Sequence, residues 1–434
     1  MLRIKLVGGL LGGVGVPRTQ QIDEAGRGAF LLPAHPPRRL LLYPKHPKHP
    51  RSCLTHFVIE AGRHGRHERS PTPLASLETA HPLGIPPVMA ETLVVQYIRR
   101  MRQFLLVSLL IPAAAFAQAR EYLYVGNTLG GDISVVAIPA HKVVGTIPAT
   151  VVGNSPDDII STKSGDVLYI SRLDTRDVIA VSTATEKQLW TVDVGGTPNH
   201  LALSRDERFL YVPVYDKGQL AVIDTKTHAV VKRLDVGKGA HGTILGPGGK
   251  HLYVGMMEAN QVAVVDVAKN EVTRIIHMPE GVRPFQISPD EKYLYAQLSK
   301  LHGFVVVDLA RDSIIRTVSL PNVGTALKPS LALSHWVVNH GIAISADGKY
   351  LVANGSLNNI TTIYSLPKLE LLATIPIGKT PNWVVFSKDG QYAYISNRGD
   401  NTLSVISMRD RKEITRIRVG EFPQRMTVAM ARRP

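Results

Sequence analysis

The stretch NHLALSRDERFLYVPVYDKGQLAVIDTKTHAVVKRLDVG, residues 199–237, contains four short runs rich in Val, Ile, Leu and Tyr. The runs are NHLALS, RFLYVPV, QLAVID and HAVVKRLDVG, and the SRDE, YDKG and TKT segments at their junctions are turn chemistry. Each run has the length of a strand and is too short for a helix. The pattern returns as KYLVANG, NITTIYS and LELLATIPIG within 349–378, and as QYAYISN, NTLSVIS and KEITRIRVG within 391–420.

Working outward, Asp157, Asn199, His241, Arg283, His340, Asn382 and Gln424 each open a similar apolar run, at offsets of 42, 42, 42, 57, 42 and 42. A fixed period of about 40–45 residues with four strand-like runs inside it marks a β-propeller, one blade per repeat. The sequence therefore predicts an all-β, seven-bladed β-propeller of four-stranded antiparallel blades. After Phe422 the segment QRMTVAM supplies only a first strand, while YLYVG, DISVVA and KVVGTI near the start of the repeats supply three. The ring is expected to close by pairing the C-terminal strand with these three N-terminal strands, which removes an open sheet edge.

Ahead of the repeats, MRQFLLVSLLIPAAAFAQA from Met101 has a basic start, a short apolar stretch and Ala115-Phe116-Ala117. This arrangement predicts a signal peptide over 101–117, a periplasmic or secreted protein, and a mature chain of 118–434 without a membrane span. Residues 1–100 are a low-complexity mixture of Pro, Arg and His, as in PAHPPRRLLLYPKHPKHPRS. They are expected to be upstream sequence ahead of a true start at Met101, or a disordered basic extension.

Charge then carries little information. Of the net +15, residues 1–100 contribute +8, from 14 Lys and Arg against 6 Asp and Glu. The remaining +7 is spread over every blade, so a nucleic-acid partner is not expected. The single cysteine, Cys53, lies in the same N-terminal segment, and with no CxxCH no covalent haem is expected.

The repeat S-x-D-x-x-x-L-Y-V, a polar turn, V-x-V-I-D and V-x-x-I-x-V-G-x-x-P resembles the YVTN family of seven-bladed propellers, which is related to the lactonase-like and cytochrome-d1-like propellers. The residues that carry the resemblance are SRDERFLYV (204–212) with LAVID (220–224), SPDEKYLYA (288–296) with FVVVD (304–308), SADGKYLVA (345–353), and SKDGQYAYI (387–395) with LSVIS (403–407). It covers nearly all of 121–430 and implies the fold more strongly than any activity.

Function is sought where the repeats differ. The seven period-marking residues sit where the chain enters the central channel, and all are polar or charged. They predict a ligand-binding ring at the channel mouth: Asp157, Asn199, His241, Arg283, His340, Asn382 and Gln424. The alternative is a wet channel whose polar side chains hold only water and backbone groups. Asp157, His241 and His340 have the donor chemistry to hold a divalent metal. The residues after ring members, Asp158, His200, Trp383 and Arg425, should point into the blade by strand alternation, so His200 and Trp383 are expected to be packed. Turns between second and third strands, including Tyr215, Met257 and Arg398, should rim the same face. The 57-residue offset places an inserted apolar loop at 322–338 on that face, with His335 and Trp336 expected beside the mouth.

These features lead to an exported module that binds a small-molecule ligand or a periplasmic protein partner, as an accessory to an oxidation system. The alternative is a lactonase-like hydrolase or metal-dependent enzyme with its site at the same mouth. No G-x-S-x-G elbow, phosphate loop or dinucleotide signature is present.

Overall fold

The computed structural model describes residues 119–322 and 338–433. These form seven four-stranded sheets, and each strand pairs antiparallel with its neighbours. Blades one to six each use four consecutive strands. The seventh joins the closing strand Pro423–Ala431 to Arg120–Asn127, Asp132–Ala137 and Lys142–Ile147, with Leu123 opposite Val428 and Tyr122 opposite Ala429. Among the described residues the other elements are one helical turn at Ala149–Val152 and a 3-10 turn at Tyr215–Lys217. Among the described residues no helix is long and apolar enough to cross a membrane.

Alternation explains where the core lies. Successive strand residues face opposite sides of a sheet, so a run such as Ile133-Ser134-Val135-Val136 feeds the contacts on both sides of its blade. Each apolar cluster joins two adjacent blades. Tyr124, Ile133, Val135 and Ile147 of blade seven meet Ile159, Ile170, Ile179 and Val181 of blade one. On the other side, Leu123, Val125, Val136 and Met426 meet Tyr394, Leu403 and Val405 of blade six.

The recurring Ser and Asp of the repeat hold its first turn. The hydroxyls of Ser204, Ser288, Ser345 and Ser387 donate to Asp206, Asp290, Asp347 and Asp389 at 2.6 Å. Each hydroxyl also accepts the backbone N–H that opens the second strand, at 2.9–3.0 Å. The motif is thus hairpin chemistry and lies away from the channel.

The innermost strands break the alternation rule. In blades one, two, three, four, six and seven, one extra residue is inserted beside the ring position, for example between Pro156 and Ile159 and between Ala240 and Gly242. Blade five instead carries Gly341 at φ 99°, a backbone conformation that an L side chain rarely adopts. A bulge sets two residues against one on the partner strand, and so turns consecutive side chains toward the same face.

Candidate functional site

Asp157, Asn199, His241, Arg283, His340 and Gln424 line one cavity of about 370 Å³ at the channel mouth. Leu173, Tyr215, Met257, Arg398 and Phe422 add to the wall, the first four of them at the turns between second and third strands that the sequence placed on this face. Asn382 is buried and does not line this cavity. Its carbonyl oxygen accepts from His340 Nδ1 at 2.7 Å, and its Nδ2 donates to the Gln424 carbonyl at 3.2 Å. Gln424 Nε2 in turn donates to Asp157 Oδ1. A belt of hydrogen bonds therefore runs from blade five through six and seven to one, linking period-marking residues across the ring closure.

The expectation that His200 and Trp383 pack away inside their blades is corrected. The His200 ring centroid is 4.2 Å from that of His241 and 6.5 Å from that of His340, and Trp383 meets His200 edge-on at 5.2 Å. With Asp158, His200 and Trp383 line a second, smaller cavity of about 140 Å³ that shares no lining residue with the first. The bulges are the physical reason, because alternation fails at the positions to which it was applied. Trp383 still rests one flank on the core between blades six and seven.

The triad Asp157, His241 and His340 is not gathered as a ligand set. Among the described residues no group of three or more His, Cys, Asp or Glu is placed to hold a metal ion. The His241 and His340 centroids lie 6.4 Å apart, and Gln424 engages the Asp157 carboxylate from the neighbouring blade. His335 and Trp336 lie outside the described residues, as do nearly all of the inserted loop and the segment 101–117.

Three guanidiniums dominate the electrostatics. Arg425, on the closing strand, is 2% exposed, lies 4.3 Å over the Trp383 ring and has Nη2 against His200 Nε2. Its Nε and Nη1 have no hydrogen-bond partner among the described residues, and the same holds for Arg398 Nε and His241 Nδ1. Arg398 rests over Phe422 at 4.9 Å. Arg283 is held by Ser299 Oγ at 3.1 Å and by Met257 Sδ at 3.4 Å. Of these, Arg425 and Arg398 were only secondary sequence candidates. The available signal was a charge following the ring position, where other repeats place Gly242, Pro284 or Gly341.

Burial and neighbouring charges shift the titratable groups of the channel. His200, His241 and His340 are held well below the usual imidazole range, first by desolvation and then by Arg425. They are therefore neutral at pH 7. Because neutral His340 donates from Nδ1 to a carbonyl, its Nε2 carries the lone pair. Burial pushes Asp157 upward and Asp158 up to about 6, opposed in both by Arg425. Burial pushes Arg398 down to about 9, which still leaves it charged at neutral pH. The arrangement suits a small ligand with an anionic or strongly polarised oxygen, since buried N–H groups on cations are costly unless paired.

A family model described as "Lactonase, 7-bladed beta-propeller" matches residues 122–418. Comparison with curated proteins gives no match. Among solved structures, a Pseudomonas aeruginosa periplasmic gluconolactonase, PpgL, is 17% identical with TM-score 0.60, covering 72% of this chain and 99% of its own. A putative 6-phosphogluconolactonase from Bacteroides fragilis is 17% identical with TM-score 0.58, covering 73% and 99%. The dihydro-heme d1 dehydrogenase NirN, solved in complex with DHE, is 15% identical with TM-score 0.52, covering 68% and 63%. At these identities the likeness to the solved structures is one of fold.

Proposed function

The chain belongs to the seven-bladed β-propeller lactonase family, and on that premise we propose that its channel mouth binds and hydrolyses a small lactone, releasing a hydroxy acid. The observation that carries this reading is the set of buried Arg398 and Arg425 N–H groups, unpartnered among the described residues, in one cavity with the neutral His340 imidazole. In this reading His340 Nε2 takes a proton from water as the water oxygen bonds to the lactone carbonyl carbon. Arg398 and Arg425 stabilise the charge developing on the carbonyl oxygen. When the ring C–O bond breaks, the imidazolium returns the proton to the departing alkoxide. The carboxylic acid so formed loses its proton to solvent, and the product carboxylate remains paired with the guanidiniums until release. Fold neighbours that include a periplasmic gluconolactonase support the reading, and export through a signal peptide at 101–117 belongs to it.

A second reading, ligand binding without turnover, is favoured by the strong depression of the imidazoles, because a base whose pKa lies far below the working pH accepts a proton weakly. The test is a pH-stat assay of glucono-δ-lactone and simpler γ- and δ-lactones, beside calorimetric titration with the hydroxy acids. His340→Gln should reduce kcat about 100-fold or more while the hydroxy acid still binds. Binding with no turnover of any lactone supports the second reading; turnover that survives in His340→Gln removes His340 from the mechanism.

A further inference from the structure

Gln424 and Arg425 reach the channel on the closing strand, the one part of blade seven contributed by the far end of the chain. Arg425 is the largest of the fully buried side chains. It lies against His200 of blade two and Trp383 of blade six, while Gln424 bonds Asp157 of blade one. One strand thus ties three other blades together through their innermost residues. It does so by carrying a guanidinium into a site that already contains Arg398 and Arg283.

We propose that anion binding in the channel and closure of the ring are a single coupled equilibrium, the bound anion supplying the counter-charge that the buried Arg425 lacks when the closing strand docks. The inference rests on the anion-binding part of the reading above and not on hydrolysis. Among the described residues three guanidiniums face two carboxyls in the channel interior, Asp157 and Asp158, and both are already engaged, by Gln424 Nε2 and by the Leu201 N–H at 2.6 Å. Removing one partner of a buried ionic group is costly, whereas replacing such a charge with an apolar side chain of similar volume is often neutral or stabilising. Without an anion, then, the seam carries the penalty of a buried guanidinium whose Nε and Nη1 have no partner among the described residues. An anion that contacts Arg425 stabilises the closed ring, and by linkage the closed ring is what binds it.

The experiment is hydrogen exchange of the whole chain in phosphate and in chloride at equal ionic strength, followed at 423–431 and 120–127 and compared with Gln261–Asp266, the third strand of blade three, which contributes no residue to the cavity. If opening of the seam exposes the site, phosphate at 100 times its Kd should slow exchange at the seam about 100-fold, with a much smaller effect at Gln261–Asp266. Arg425→Leu should abolish the phosphate effect, and without phosphate its seam should exchange as slowly as the wild type or more slowly. Calorimetry in parallel separates the failures. Phosphate that binds in the channel without protecting the seam, or that protects all seven blades equally, overturns the coupling alone. Absence of binding by phosphate and by hydroxy acids overturns the coupling and the anion-site reading together. The wild-type comparison stands even if Arg425→Leu does not fold.

Discussion

The innermost and outermost strands of each blade both depart from ideal pairing, yet they use the departure oppositely. All seven outer strands carry a register shift against the third strand, and they leave side chains such as Val144, Leu189, Val231 and Ile315 exposed. There the bulge twists an unpaired edge and guards it against pairing with other chains. On the inner strands the bulge turns pairs of polar residues into the channel, where Asp157, Asp158, His200, His241, His340 and Arg425 are all buried. An outer edge needs only to be irregular, and its repeats are interchangeable. The channel needs particular chemistry at each blade, and its repeats differ.

The largest expected effect would break this contrast at the ring closure. Truncation after Phe422 removes the closing strand, whose Met426, Ala429 and Ala431 are buried, and should cost more than about 4 kcal/mol, or prevent cooperative unfolding altogether. Urea denaturation followed by circular dichroism checks it, and an unchanged midpoint would refute closure through this strand. Next comes the purely structural layer: Ile170→Ala, between blades seven and one, should cost about 3 kcal/mol and leave ligand affinity unchanged. A large loss of affinity in that variant would mean that channel and interblade core are not separable.

A pH experiment sharpens the contrast from the channel side. The Asp158 carboxyl is raised to about 6 in the folded state, above its value in an unfolded chain. Its protonation therefore favours the folded state: this contribution is fully present below the unfolded value, near 4, and is lost as pH rises through about 6. Asp158→Asn should accordingly exceed the wild type in stability at pH 7 by up to about 3 kcal/mol, and the gap should close toward pH 4. A pH-independent gap would show that Asp158 is not desolvated. The three imidazoles, held below their ordinary range, act in the other direction: their neutral forms favour the fold above about pH 6.5, and that contribution is lost on acidification below it. Any activity that depends on neutral His340 should accordingly persist when the pH is lowered past 6.5. The smallest effect belongs to the outer edge, where Ile315→Thr should change stability by less than about 0.5 kcal/mol.

Much of this was legible without coordinates. The 42-residue period, the four runs per repeat and the incomplete repeats at the two ends determine an all-β ring of seven blades closed by its own termini, because near-continuous apolar runs such as DISVVA and DVIAVS leave each sheet apolar on both faces and in need of two neighbours. Six of the seven period-marking residues, all but Asn382, line one cavity, since a position repeated with the blade occupies the same place in each. What tertiary structure alone decided is which of their neighbours share the channel and what state they are in. Alternation placed His200, Trp383 and Arg425 inside blades, and single-residue bulges, invisible in composition, turned them toward the axis. The spacing that suggested a metal triad carries no distances, and Asp157 is instead engaged by Gln424 from 267 residues away. Neutral imidazoles and raised carboxyls arise from desolvation by seven blades together, a property of the closed ring that no single repeat contains.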